Sequence, residues 1–224
     1  MFLVLFDIDG TLVRTRGAGR ESLDAAFAAV HGWENATEGV HVAGSTDGAI
    51  VRDVSARFSG EAVTERVQAH YYAALAARLV DRERVRLCPG VVEILDALQG
   101  RVHLALLTGN WGEGARIKLE ACGLWERFAF GAFADDAVDR NDLVPVAVAR
   151  ARERGLTVTG VVVIGDTPAD VACARAGGAV AVAVETGFAA PGALARARPD
   201  LLLKDLASGG AWLRTLVASP LSGQ

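Results

Sequence analysis

The run MFLVLFDIDGTL at positions 1–12 constrains this chain most, because an apolar segment ends abruptly in two acids, Asp7 and Asp9, followed by Gly10 and Thr11. It reads as a buried strand that delivers carboxylates to a site. Side chains at i and i+2 share a strand face. Asp7 and Asp9 would therefore project together from the strand's carboxyl end, where open α/β sheets place their ligands. Two anions held that close repel, so either a cation sits between them or one keeps its proton because of its neighbour's charge. The same letters also fit a strand ending in an exposed Asp-Gly turn, since both are ordinary turn residues.

Downstream runs decide between these readings. VHLALLTGN at 102–110 is a second apolar run, ending in Thr108, Gly109 and Asn110, and VVVIGDTPAD at 161–170 is a third, ending in Asp166 and Asp170. Between the first strand and Leu87 the pattern is helical. Leu23, Ala26, Phe27 and Val30 have helical spacing within 18–31, GSTDG at 44–48 breaks the pattern, and helices are expected near 47–58 and 61–80, with no strand between Val13 and Leu87. From Pro89 onward helices (90–99, 112–122, 142–154, 168–176) alternate with strands (102–107, 129–133, 161–164, 179–184, 200–203). That alternation predicts an α/β fold with a doubly wound, mostly parallel sheet and an inserted all-helical cap. The core would be 1–13 and 88–224 and the cap 14–87, with Cys88-Pro89-Gly90 marking the return. Ser219 to Gln224 read as a frayed tail.

FDIDGT, LLTGN and GDTPAD occur here in the order and at the separations of the haloacid dehalogenase-like (HAD) superfamily, and the chain resembles its phosphatase branch with a helical cap inserted after the first strand. The likeness spans essentially the whole chain, and phosphoglycolate phosphatase is the nearest pattern. It implies that Asp7 is a nucleophile forming an aspartyl-phosphate, and that Asp9 is the acid and base that protonates the leaving oxygen and then activates water. It implies a Mg2+ site from the Asp7 carboxylate, the Asp9 backbone carbonyl and Asp166, consistent with this ion's preference for oxygen ligands. Thr108 would donate to a phosphoryl oxygen, with the amides of Gly109 and Asn110 beside it at a helix start whose dipole favours anions. Asp170 would support the metal-bound water or the basic residue, although an acid at that helix position is also favoured locally if Thr167 caps and Pro168 opens the helix.

The family's usual lysine ahead of the third acidic motif is absent. Arg140, about 32 residues after Thr108, is the candidate for neutralising the phosphoryl group, and an arginine can pair with two oxygens at once. Only Lys118 and Lys204 are lysine among the 23 basic residues. Lys118 competes with Arg140, but within 112–122 it could equally pair with Glu113 or Glu120 on a solvated face.

Substrate choice would lie with the cap. Arg14, Arg16 and Arg20 could recognise a second anionic group, and Arg20 and Thr46 are the candidate contacts; a hinge and a helix capped by Ser45 or Thr46 explain the same residues. The expected substrate is a small phosphorylated metabolite, phosphoglycolate-like. A phosphomutase on the same scaffold and a non-catalytic phosphometabolite-binding protein are the alternatives. A dehalogenase is disfavoured, because that branch lacks the acid present here as Asp9.

Composition fits an enzyme of this kind. The chain has 224 residues, of which 51% are hydrophobic and 22% charged, enough for a sizeable core plus an insertion. No apolar span approaches the roughly 20 residues of a membrane helix, and the opening run lacks a basic flank, so it reads as mature structure rather than a signal peptide. A net charge of −4 and no basic run argue against nucleic acid. Cys88, Cys122 and Cys173 lack metal-type spacing and read as reduced thiols of a cytoplasmic protein. A monomer or homodimer is expected. The four histidines and four tryptophans read as structural.

Overall fold

A computed structural model describes residues 1–58, 60 and 64–212. The first strand, β1 (Phe2–Phe6), is followed by a two-residue strand β2 (Val13–Arg14) and three helices, α1 (Ala18–His31), α2 (Asp47–Arg57) and α3 (Thr64–Leu79). A second two-residue strand, β3 (Arg86–Leu87), leads into the alternating part: α4 (Val91–Leu98), β4 (His103–Leu107), α5 (Gly112–Glu120), β5 (Gly131–Ala132) and α6 (Leu143–Glu153). Then come β6 (Gly160–Gly165), α7 (Pro168–Ala176), β7 (Val180–Val184), α8 (Ala193–Ala197) and β8 (Leu201–Leu203).

Six strands form one sheet in the order β5-β4-β1-β6-β7-β8, with every pairing parallel. β1 lies between β4 and β6, so the chain leaves it in opposite directions. That reversal is the topological switch point where open α/β sheets bind ligands. The unbroken apolar runs follow from a sheet covered on both faces. Phe2, Val4 and Phe6 of β1 pack with Val91, Ile94, Leu95 and Leu98 of α4 and Leu119 of α5. The alternate residues Leu3 and Leu5 pack with Leu143, Val144 and Ala147 of α6 and Val171 of α7.

The inserted helices bury their own apolar stripes. Leu23 and Phe27 of α1 meet Ile50, Val51 and Val54 of α2 and Val67, Tyr71 and Leu75 of α3. Trp111, just before α5, joins this cluster and is almost fully buried, so the insertion packs on the core through apolar surface. Trp33 stacks on Phe58 at 4.9 Å, in keeping with a packing role.

One expectation needs correction here. β2 and β3 form an antiparallel pair at the junction, Val13 opposite Leu87 and Arg14 opposite Arg86, where no strand was expected. Two residues are too few to carry a period, so the pattern was invisible. α8 and the 3-10 turns at Arg82–Arg84, Trp125–Arg127 and Arg140–Asp142 were equally unread. The expected tail at 219–224, and the first residues of the helix expected at 61–80, lie outside the described residues. Among the described residues no helix is long and apolar enough to cross a membrane.

Candidate active site

Three neighbouring strands end side by side, and their next residues are Asp7, Thr108 and Asp166. Backbone bonds continue the sheet into this edge: Asp7 N donates to Ile164 O at 2.9 Å and Thr108 N to Ala132 O at 3.1 Å. Two glycines make room for Asp166. Gly10 has φ +84°, in the left-handed region, and a Cβ there would lie 2.6 Å from Asp166 Oδ2; at Gly187 it would lie 1.6 Å away. Phe188 N donates to Asp166 Oδ2 at 3.0 Å, so the loop after β7 fixes the third acid. The sequence reading assigned nothing to that loop.

Asp7, Asp166 and Asp170 bring carboxylate oxygens within 4.8 Å of one another. Burial pushes Asp7 up to about 7, with Asp170 and Asp9 adding to the rise and Arg140 opposing it. Burial, then the charges of Asp7 and Asp170, pushes Asp166 up to about 8. Two buried acids pushed up in this way, with the Asp170 carboxylate beside them, fit a cation, and the all-oxygen donor set fits a hard one such as Mg2+. The acid that joins Asp7 and Asp166 is Asp170; the side chain of Asp9 turns elsewhere, leaving only its backbone carbonyl for the expected role.

Arg140 sits where the spacing predicted, 8% exposed at the turn before α6. Its Nη2 donates to Asp7 Oδ1 at 2.7 Å and Asp170 Oδ1 at 2.5 Å. Its buried Nε has no partner among the described residues. Both readings of Asp170 hold together: Oδ1 receives Arg140, while Oδ2 accepts from Thr167 N at 2.9 Å to complete a capping box.

Asp9 has a different partner. Lys118 is 3% exposed, and its Nζ donates to Asp9 Oδ2 at 2.5 Å and Asn110 Oδ1 at 2.6 Å. The surface pairing considered for Lys118 is made instead by Arg116, with Glu113 at 2.5 Å and Glu120 at 2.7 Å. Asn110 also departs from expectation. Its backbone amide donates to Thr108 Oγ1 at 3.2 Å and is not left for an anion, while its side chain donates to Asp9 Oδ2 and Thr108 Oγ1, both at 2.8 Å. Thr108 therefore only accepts from the protein, and its hydroxyl hydrogen has no acceptor among the described residues.

A cavity of about 560 Å³ joins these groups to the inserted helices, lined on that side by Leu23, Val42, Ile50 and Tyr71 with Arg20, Ser45 and Asp47. Thr46 is not in its wall. Its hydroxyl caps α2 by accepting from Ala49 N at 3.1 Å and donates to Val138 O at 2.7 Å, so the capping reading replaces substrate contact. Arg20 is in the wall, but its guanidinium is held by Thr37 Oγ1 at 3.1 Å and Thr37 O at 2.9 Å. Arg14 donates to Thr186 O, away from the cavity.

Asp47 was missed. Its Oδ2 accepts from Trp111 N at 2.9 Å, and Asp135 Oδ2 accepts from Gly112 N at 2.6 Å, so two carboxylates occupy the start of α5 where a phosphate was expected. Asp47 N donates to Gly109 O at 2.7 Å, and the Ser45 carbonyl lies 2.2 Å from where a Gly109 Cβ would stand. Gly109 is thus a close-contact point for the insertion.

Residues 4–184 match the family model for haloacid dehalogenase-like hydrolases. A protein called probable phosphatase IndB, from Dickeya dadantii, is 27% identical over 229 residues covering 98% of both chains. A phosphoglycolate phosphatase from Synechococcus elongatus is 31% identical over 121 residues, 54% of this chain and 56% of that one. The crystal structure of CbbY from Rhodobacter sphaeroides in complex with phosphate superposes with a TM-score of 0.74 at 20% identity, over 94% of this chain and 97% of that one. With its three strand-end motifs meeting at one sheet edge and the family model spanning most of its length, this chain belongs to the haloacid dehalogenase-like hydrolases.

Proposed function

We propose that this chain is a Mg2+-dependent phosphatase acting on a small phosphorylated metabolite through an aspartyl-phosphate, with residues 1–13 and 88–224 as the catalytic core and 14–87 as the cap. The observation that carries the reading is the convergence of Asp7, Thr108, Asp166 and Arg140 at one sheet edge, with the Arg140 guanidinium 2.7 Å from the candidate nucleophile. Phosphatase-named relatives support the reaction class. Three free cysteines, two of them buried, fit the reducing cytoplasm.

Asp7, Asp166 and the Asp9 carbonyl would hold the metal, with Asp170 beside them. The bound ion supplies positive charge that keeps the acids ionised and offsets charge on the phosphoryl oxygens. Arg140 would balance charge on the same oxygens, and the Thr108 hydroxyl would donate its uncommitted hydrogen. An Asp7 oxygen attacks phosphorus as the bond to the leaving oxygen breaks, and Asp9 transfers a proton to that oxygen. Among the described residues the side-chain hydrogen bonds to Asp9 fall on Oδ2, which leaves Oδ1 for the proton transfer. Asp9 then takes a proton from water, whose oxygen attacks phosphorus and releases phosphate and free Asp7.

Phosphate release from a panel of phosphorylated metabolites tests the reading. Chelator should silence turnover and magnesium restore it, while calcium, with its looser and larger coordination, should not. Full turnover in chelator would overturn the metal-dependent mechanism, and transfer of label to added sugar phosphate in place of release would make the chain a mutase.

A further inference from the structure

The cavity beyond the phosphoryl site has an unusual balance of charge. Four basic side chains line it, and three are engaged: Arg140 with Asp7 and Asp170, Lys118 with Asp9 and Asn110, and Arg20 with the Thr37 hydroxyl and the carbonyls of Thr37 and Val40. The fourth, His41, is exposed. Asp47 is the reverse case. It is 6% exposed, it lines the cavity, and only Oδ2 has a hydrogen-bond partner; Oδ1 has none among the described residues.

We infer that Asp47 reads the leaving group, its Oδ1 accepting a hydrogen bond from a hydroxyl or ammonium of the substrate. The site would then favour phosphate esters of polyols or amino alcohols over those of hydroxy acids. An acceptor that faces the cavity without a protein donor gains a hydrogen bond from a ligand that supplies one, and a ligand lacking the donor forfeits that gain. A leaving-group carboxylate would bring Asp47 Oδ1 no hydrogen to accept, would meet the ionised form of Asp47 as a like charge, and would find no uncommitted buried cation among the described residues. Burial also raises Asp47 to about 7, against the opposing charge of Lys118 and the Trp111 hydrogen bond, which marks how incompletely the protein itself satisfies this acid. The cavity, at about 560 Å³, has room for a leaving group well beyond two carbons.

This assignment rests on the phosphatase reading and separates from it experimentally. Matched esters differing only in CH2OH against carboxylate are compared with magnesium: glycerol 1-phosphate with 3-phosphoglycerate, and glucitol 6-phosphate with 6-phosphogluconate. Glucosamine 6-phosphate against glucose 6-phosphate distinguishes ammonium from hydroxyl. In the better-accepted pair the alcohol should exceed the acid in kcat/KM by about tenfold or more, and Asp47→Asn, which keeps an acceptor for Trp111 N, should shrink that ratio by a similar factor. An acid equal to or better than its alcohol in both pairs overturns the assignment, as does an unchanged ratio in folded Asp47→Asn. Calorimetry of the same esters with Asp7→Asn reads the ordering without turnover. Absence of phosphate release from every ester, p-nitrophenyl phosphate included, would then defeat the phosphatase reading alone. Equal Kd values within each pair, or no binding of any ester, would defeat the leaving-group assignment.

Discussion

Asp7 and Asp9 stand two residues apart yet occupy two differently built halves of the site. Asp7 is 5% exposed and shares the Arg140 guanidinium with Asp170. The Asp9 carboxylate is about a third exposed and is held by the Lys118 ammonium and the Asn110 amide. One strand end thus presents one acid to a dry, anion-crowded pocket and the other to a wetter seam beneath the inserted helices. Paired acids acquire separate tasks when their surroundings differ in this way. The comparison also explains why the chain commits two cations near one sheet edge: each holds a different acid.

Removing the proposed nucleophile should have the largest effect. Asp7→Asn should abolish turnover while the fold persists, because a neutral amide does not attack phosphorus; wild-type-like phosphate release would rule out the covalent mechanism. Asp9→Asn should lose proton transfer, roughly 10² to 10⁴-fold in kcat, and acid-quenched mass spectrometry should detect its phosphoenzyme. Equal activity with wild type would erase the division between the halves.

The two cations should separate next. Arg140→Ala should lower kcat by about 10² to 10³-fold, with Arg140→Lys recovering part of it through charge without the bidentate fork. Lys118→Ala should cost less, about tenfold, by loosening Asp9, and the loss should fall on kcat more than on KM. A dead Lys118→Ala beside an active Arg140→Ala would reverse the assignment of the two halves.

The smallest effect is on stability against pH. Asp7, Asp47 and Asp166 have values raised by burial from 3.8 to about 7, 7 and 8, so the folded chain keeps protons that the unfolded chain has lost. Without metal, folding stability should therefore fall as pH rises from about 4 to 8. Magnesium should raise the melting temperature more at about pH 8 than at about pH 5, because it favours the ionised Asp7 and Asp166. A metal effect independent of pH would show that the acid-crowded half holds no ion.

Much of the acid-crowded half was legible in the sequence. Asp7, Thr108 and Asp166 end apolar runs, and a run ending in a polar residue announces both a strand and the sheet edge; Arg140 came from the resemblance to the family, at the interval where that family usually has a lysine. The other half was harder. Lys118 was read as a competitor of Arg140 that could equally pair with Glu113 or Glu120 on a solvated face, although it shares the buried stripe of α5 with Gly114, Ala115 and Leu119. The helical period carried that signal, and the residue's charge masked it. Asp47 was unreadable for another reason: an acid in a first helical turn is favoured locally, so its contact with Trp111, 64 residues away, left no local trace. Gly187 likewise announces nothing, since its need arises from the Asp166 side chain packed against it.

The seating of the inserted segment on the sheet edge has a consequence for how such a chain diversifies. Several contacts across that seam use main-chain atoms: Asp47 N to Gly109 O at 2.7 Å, the Ser45 carbonyl against Gly109, and the Gly44 carbonyl receiving Arg140 Nη1 at 3.4 Å. Main-chain atoms are the same whatever residue carries them. Side chains along 40–50 can therefore be exchanged while these main-chain contacts persist, provided Gly109 stays small. Docking and recognition are in this sense separately heritable: a new leaving group requires new side chains in the wall, and the register that brings the wall to the phosphoryl site need not be reinvented.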